Sequence, residues 1–438
     1  MPSPNAILKL VNDQNPRQIA AQILGRRAPD KFTEDLLEGA FAGARLSPAD
    51  RGLCHEIVYG VVRRQDTLDW LIQRKTQRPE QKPALQNLLR LGLYQIFWLD
   101  KIPAHAAVHE TVEAAKRLGF GPQAGFVNAI LRGYLRESDE TRKLLEKLKT
   151  TDPAIGFSHP KWLVEKWQKQ FGAEKARQLL EWNNHPPKTY ARVNTLKADA
   201  GKLLETWRAE GVDYDFVRRD WLAENLVFEL KSHPPLTTLK SFGDGWFYIQ
   251  DPSTLLAPLA LDPKPGDAVL DFCAAPGGKT TFMAQLVQNE CRITACDVSG
   301  ERLKLIEDNC ARLGVSCVEL IERSIFDTQH STFNKILIDA PCSNTGVMRR
   351  RVDLRWRISP EEITRLRQMQ LKLLETAAAK LKPGGVLVYS TCSLEPEENT
   401  EVVKEFLSTH KNFKLESERE LLPFAEGMDG AFVARLIR

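Results

Sequence analysis

The sequence predicts a doubly wound α/β domain preceded by an all-α domain and a small α+β region, and three observations carry that reading. From about Ala257 onward, short apolar runs alternate with amphipathic helical stretches, the rhythm of a parallel sheet with helices on both faces. Residues ~15–140 instead place apolar side chains at i, i+3, i+4 and i+7 almost throughout. Between them, residues ~155–250 mix helical stretches with short β-like runs and Pro-rich turns. A chain of 438 residues is too long for one core and suits about three domains of ~150 residues.

Composition narrows the class. At 42% hydrophobic and 27% charged the chain is globular, neither disordered nor collagen-like. No run approaches the ~18 apolar residues of a membrane span, and the first twenty or so residues lack the pattern of a secretory signal. A cytoplasmic location with reduced thiols is therefore expected for the eight cysteines. None forms a CxxC pair, and Cys291/Cys296 and Cys310/Cys317 fall in strand and helix patterns, so no metal is expected. His105 and His109, at i and i+4, have no evident third ligand and read as packing. With Lys+Arg 61 against Asp+Glu 57, bulk charge makes no case for nucleic acid; only local clustering does.

In order along the chain, RQIAAQIL, DRGLCHEIVYGVVRR, ALQNLLRLGLYQIFWL, AHAAVHETVEAAKRL and GFVNAILRGYLR read as helices of an all-α domain, 1–145. The polar stretch RESDETRKLLEKLKTTDP closes it. HPKWLVEKWQKQFG and AEKARQLLEWNN follow as helices, with TYARVN, VFEL and WFYIQ as strands, in an α+β region of 146–250. The α/β domain, 251–438, then reads strand DAVLDFCAA, helix, strand CRITACD, helix, strands VELIE and KILIDAP, a long helix, strand GVLVYSTCS, helix, and FVARLIR. Ligands of such sheets bind at the carboxyl ends of the strands.

The first of these strands runs into Asp271-Phe272-Cys273-Ala274-Ala275-Pro276-Gly277-Gly278-Lys279-Thr280. Small residues admit a ligand to the backbone, and a helix start offers unpaired N–H groups. A Walker A loop needs glycine where Cys273 stands, and the G-x-G-x-x-G fingerprint is absent. A plain tight turn remains the bland reading. Asp297, at the end of the second strand, is placed to accept from ribose hydroxyls, or else simply caps a helix. Loop and acid together suit an adenosine-containing ligand without a phosphate cradle, S-adenosyl-L-methionine. Two further strands end in Asp339-Ala340-Pro341-Cys342-Ser343-Asn344-Thr345-Gly346 and Ser390-Thr391-Cys392-Ser393. A cysteine at a strand end is more often inert packing, but two beside a nucleoside cofactor suggest covalent catalysis. A thiolate adding to C6 of a pyrimidine makes C5 nucleophilic enough to accept a methyl group, and a neighbouring carboxyl group offsets charge at N3.

DFCAAPGGKT, DAPCSNTG and YSTCSLEPEEN resemble the cofactor, Pro-Cys and Thr-Cys motifs of the RNA 5-methylcytosine methyltransferases of the NOL1/NOP2/Sun family. RVNTLKA and FYIQDPSTLLAPLAL resemble that family's small RNA-binding region, and the helical N-terminus is similar to a NusB-like domain. The resemblance implies a Rossmann-like methyltransferase domain acting on ribosomal RNA of the small subunit; because the target base must be unstacked or flipped out, an RNA not yet fully assembled is expected. It implies Cys392 as the nucleophile, Cys342 in product release, and Asp339 at the base and cofactor. It places Cys273, Ala274, Ala275, Pro276, Gly277, Gly278 and Lys279 around the methionine part and Asp297 at the ribose. DNA cytosine methylases use a Pro-Cys nucleophile, which favours Cys342 by analogy; the RNA family favours Cys392. The family's acidic residue near the adenine is displaced here, leaving Asp327 or Ser324 for that role. The alternatives are a transfer RNA cytosine-C5 methyltransferase and a non-catalytic RNA-binding assembly factor.

Residues 348–357 carry five arginines and a tryptophan; the bland reading is a solvated charged loop, but their place beside the thiols favours phosphate and base contacts. Arg192 and Asn194 are candidate RNA contacts or members of a plain edge strand, and the basic faces at Arg63–Arg64 and Lys116–Arg117 bind RNA or are simply solvated. No heptad or exposed apolar stripe calls for a dimer, so a monomer is expected.

Overall fold

The computed structural model describes residues 15–28, 30–76, 81–326 and 332–438. Two compact units divide them. One comprises Met1–His185 with Met348–Arg357, the other Pro186–Val347 with Ile358–Arg438.

The first unit is helical. Pro16–Arg26 starts where the Asn15 side chain accepts from the Arg17 N–H at 2.9 Å, and Pro48–Arg63 starts at Ser47, whose Oγ accepts from the Asp50 N–H at 3.1 Å. Pro83–Trp98 is apolar on nearly every face and forms the centre. Leu88, Leu89, Leu91 and Leu93 are fully buried there among Val61, Leu68, Leu71, Val127 and Leu131. At Gly92 a Cβ would lie 2.6 Å from Leu131, so glycine sets the approach of these helices.

Residues 348–357 belong to the helical unit, and burial of Arg349 and Arg355 and the anchoring of Trp356 correct the reading of those three as RNA contacts, while Arg351 is exposed. Arg355 is fully buried and donates to the carbonyls of Arg63 (2.8 Å), Ser158 (3.1 Å) and Asn183 (2.9 Å) and to Asn184 Oδ1 (3.0 Å). Trp356 Nε1 donates to the Val62 carbonyl at 2.8 Å, and the Arg349 guanidinium lies 4.1 Å from the Trp182 ring centre. Asp353 accepts from Thr33 N at 2.7 Å and pairs with Arg27 at 3.1 Å. Arg63 is buried as well, rather than presented on a basic face.

The second unit holds two sheets. Strands β1 (Thr189–Val193), β2 (Asp213–Phe216), β3 (Val227–Ser232) and β4 (Phe247–Ile249) form an antiparallel four-stranded sheet in the order β2-β3-β1-β4, packed on Trp207. The larger sheet contains β5 (Ala268–Phe272), β6 (Arg292–Asp297), β7 (Val318–Glu322), β8 (Phe333–Asp339), β9 (Leu381–Thr391), β10 (Lys414–Leu421) and β11 (Ala431–Ile437). Its order is β10-β11-β9-β8-β5-β6-β7, with β9 to β7 parallel and β11 antiparallel to both neighbours. The expected parallel sheet is thus extended by an antiparallel edge. Neither β2 nor β10 was expected, because both are mostly exposed and polar and carry little apolar period.

Helices cover both faces. Pro360–Lys380 and Thr400–Thr409 bury Leu373, Leu374, Val402 and Phe406 on one, while Leu256–Leu261 and Gly278–Leu286 bury Leu261 and Met283 on the other. The long helix starts at Ser359, whose side chain accepts from the Glu362 N–H at 3.2 Å. Because β8 and β6 flank β5 on opposite sides, the switch point of the sheet opens at the carboxyl end of β5.

Candidate active site

At the end of β5 the chain turns tightly. The N–H groups of Cys273 and Ala274 both donate to the Cys296 carbonyl at 3.0 Å, and Gly277 adopts φ 97°, which favours glycine. Burial pushes the Cys273 thiol up to about 12, so it stays protonated. The helix Gly278–Leu286 then begins with no side chain capping it, leaving its first N–H groups for a ligand. Asp297, at the end of β6, accepts from Ala275 N (2.8 Å), Val298 N (2.8 Å) and Arg302 Nε (2.6 Å). It therefore shapes the glycine loop as well as facing it. Asp271 is fully buried; Oδ2 accepts from Thr280 Oγ1 at 2.6 Å, and Oδ1 has no partner. Burial, with the nearby charge of Asp339, pushes its carboxyl up to about 7.

The ends of β8 and β9 are adjacent, with Asp339 opposite Ser390. This register brings the two cysteine motifs together. Cys342 Sγ and Cys392 Sγ lie 3.5 Å apart, and Cys392 Sγ donates to Asn344 Oδ1 at 3.0 Å. Cys342 is buried, whereas Cys392 is partly exposed. The hydrogen bond with Cys392, then burial, holds the Cys342 thiol well above the ordinary thiol range. Lys279 Nζ donates to Asp339 Oδ2 at 2.5 Å, and Ser390 Oγ donates to Asp339 Oδ1 at 3.1 Å. Burial disfavours the Lys279 charge, but the charge and hydrogen bond of Asp339 outweigh it and raise the ammonium above its usual value.

The motif glycine has a steric reason. Gly346 N donates to the Cys392 carbonyl at 2.9 Å, and a Cβ at Gly346 would lie 2.6 Å from that oxygen. Thr391 Oγ1 donates to Asn399 Oδ1 at 2.6 Å, and Asn399 Nδ2 donates to the Ser393 carbonyl at 2.9 Å.

The structure thus brings Cys342, Cys392, Asp339 and Lys279 into one cluster, with residues 273–278 and Asp297 around the neighbouring strand ends. Asp327 lies outside the described residues. Ser324, just after β7, is exposed and donates to Glu322 Oε1 at 3.2 Å. Arg192 and Asn194 are corrected from RNA contacts to buried ties. Arg192 donates to Gln250 Oε1 (2.7 Å) and the Gly278 carbonyl (2.9 Å); Asn194 donates to the Gly245 and Leu313 carbonyls, both at 2.8 Å. Sequence reasoning did not single out Asp271, Asn344, Arg302 or Glu398 as site residues. All but Arg302 stand within motifs already recognised, but spacing does not say which motif side chains point inward. Among the described residues no group of three or more His, Cys, Asp and Glu is arranged to hold a metal ion, and no helix is long and apolar enough to cross a membrane.

A family model described as "16S rRNA methyltransferase RsmB/F" matches residues 258–437, which hold every residue of this cluster. The "NusB family" model matches residues 14–136, and the "Methyltr_RsmF/B-like, ferredoxin-like domain" model matches residues 159–235. The chain is 36% identical over 447 residues to "Probable ribosomal RNA small subunit methyltransferase B" of Bacillus subtilis (strain 168), covering 96% of this chain and 98% of that protein. The chain belongs to the RsmB/F methyltransferase family. A second member, "Ribosomal RNA small subunit methyltransferase B" of Shigella sonnei, is 35% identical over 406 residues, covering 90% of this chain and 92% of that protein. Among solved structures, NSun6 from Pyrococcus horikoshii with SFG matches with a TM-score of 0.57 at 26% identity, covering 64% of this chain and 98% of that chain. For the family member described here, the helices up to Arg136 fall in its NusB match, β1 to β3 of the four-stranded sheet fall in its ferredoxin-like match, and the seven-stranded sheet is its Rossmann-like methyltransferase core.

Proposed function

We propose that this chain methylates C5 of a cytosine in 16S ribosomal RNA, using S-adenosyl-L-methionine, through a covalent bond between Cys392 and C6 of the base. One observation carries the reading: an accessible and a buried thiol lie 3.5 Å apart beside the Lys279–Asp339 pair, at adjacent strand ends. The family description and the relatives' names support the ribosomal RNA substrate. The Pyrococcus horikoshii structure with SFG, an S-adenosylmethionine analogue, supports the cofactor.

The residues present fit that cofactor. The uncapped first turn of Gly278–Leu286 offers N–H groups to its carboxylate, and Asp297 offers acceptor oxygens to its ribose. Arg302, which shares Asp297, is half exposed and free to yield. When bound, S-adenosyl-L-methionine supplies an electrophilic sulfonium methyl.

Ring carbon C5 is a weak nucleophile until a thiolate adds to C6. Cys392 is the accessible thiol; once it has given its proton to solvent, its thiolate forms that S–C6 bond, moving the C5–C6 π electrons toward C5. Asp339, held by Lys279 and Ser390, meets the ring near N3 and offsets charge there. After methylation a base removes the C5 proton; its electron pair restores the C5–C6 double bond and expels the Cys392 thiolate. Cys342, in contact with Cys392, is the group placed to take this proton; it does so as a thiolate, its own proton having been given up to solvent beforehand, and its raised proton affinity then makes it a strong base.

The test is covalent capture of RNA on denaturing gels. Cys392→Ala abolishes both the adduct and methylation, whereas Cys342→Ala forms an adduct that persists. The opposite pattern would reverse the two roles. Bisulfite mapping of 16S ribosomal RNA from cells with and without the gene should lose a 5-methylcytosine; an unchanged map would sink the substrate assignment.

A further inference from the structure

Each cysteine of the cluster is followed by a serine, and both serines turn onto one carboxylate. Glu398 is fully buried. Its Oε1 accepts from Ser343 N at 2.9 Å and Gln370 Nε2 at 3.1 Å; its Oε2 accepts from Ser393 Oγ at 2.5 Å and also from Ser343 Oγ. The two serine hydroxyls lie 3.0 Å apart. A backbone N–H and a side-chain amide N–H only donate, and hydroxyls can donate, so the arrangement suits a carboxylate. Burial raises the proton affinity of Glu398, and these hydrogen bonds oppose the rise. Gln370 also donates to the Pro341 carbonyl at 2.9 Å, and Tyr389 OH donates to the Glu398 carbonyl at 2.6 Å, fixing the carboxylate from behind.

We propose that Glu398 is a positioning residue for the methylation reaction: its carboxylate clamps the Cys342 and Cys392 loops through Ser343 and Ser393 and thereby sets the contact between the thiols. The inference rests on the roles proposed above for those thiols. C5 and C6 are bonded neighbours, so the sulfur that attacks one and the sulfur that deprotonates the other must be held close together. The backbone bond from Gly346 to Cys392 joins the same loops. The clamp acts next to the cysteines, where a small displacement is most harmful to reaction geometry.

The test uses the full-length protein and two readouts. The first is the rate of diamide-driven disulfide formation between Cys342 and Cys392, without RNA or cofactor, followed by mass spectrometry of the linked peptides. Here diamide is the oxidant, so the measurement reports thiol geometry independently of catalysis. Glu398→Ala should slow this reaction about tenfold or more, with Glu398→Gln intermediate. The second is single-turnover methylation, which should fall on the order of 100-fold in Glu398→Ala and partly recover in Glu398→Gln. The KM for S-adenosyl-L-methionine should stay within about twofold. Wild-type disulfide rates in Glu398→Ala, or a loss confined to that KM, would overturn the proposal. If Glu398→Ala does not fold, the Ser343→Ala/Ser393→Ala double variant gives the same two readouts. Failure of the covalent reading itself would show separately, as an active Cys392→Ala enzyme.

Discussion

Residues 342–346 and 349–357 are close neighbours along the chain, yet they bury polar groups to opposite ends. In the first stretch, Ser343 gives its backbone N–H and hydroxyl to one carboxylate, Asn344 accepts from the Cys392 thiol, and Cys392 stays partly exposed. In the second, charged groups are held inside a helical core: four oxygen acceptors surround the two terminal nitrogens of the Arg355 guanidinium, while its Nε has no hydrogen-bond partner. A high density of arginine is therefore not a nucleic-acid footprint by itself. What matters is whether the donors remain free, because a buried guanidinium without partners would be prohibitively costly.

The strongest way to break this contrast is Arg355→Ala. It leaves carbonyl oxygens unsatisfied in the core and should lower unfolding free energy by about 3–5 kcal/mol in urea denaturation. Unchanged stability with weakened RNA binding would restore the RNA-contact reading. Asp271→Asn probes the buried acid beside the glycine loop. With its carboxyl pushed up to about 7, Asp271 takes up protons on folding between its ordinary range and about pH 7. The folded state is then favoured below that window and loses this contribution as pH rises through it. The variant should gain on the wild type by about 2–3 kcal/mol between pH 5 and 8, and a pH-independent difference would contradict the assignment. Gly346→Ala drives a methyl against the Cys392 carbonyl and the backbone of Gly430. A loss of about 1–3 kcal/mol in thermal unfolding is expected, together with slower methylation. The smallest effect is Trp356→Phe, which removes one hydrogen bond to the Val62 carbonyl and should cost about 1 kcal/mol, with RNA affinity unchanged.

Much of the fold was legible because periodicity is local. Apolar stripes such as that of Ala124–Arg136 announce a helix, and apolar runs such as VLDF and KILID announce buried strands. β10 was not legible: KLESEREL is exposed along nearly its whole length and is a strand because β11 presents an edge to pair with. In the site, the glycine loop, Asp297 and both cysteines were readable from motif chemistry at predicted strand ends. Arg355 was misread and Arg192 left open, because an arginine in a short motif looks alike whether it meets phosphate or a carbonyl several elements away.

By itself the sequence determined the helical and α/β regions and the residue types at the strand ends, since both follow from spacing along the chain. Only the tertiary structure decided that the Glu398 carboxylate binds both cysteine loops. It also decided that Cys392 is more accessible than Cys342. Those choices depend on the register of β8 against β9. Register arises from strands brought together across many intervening residues, and no local pattern encodes it.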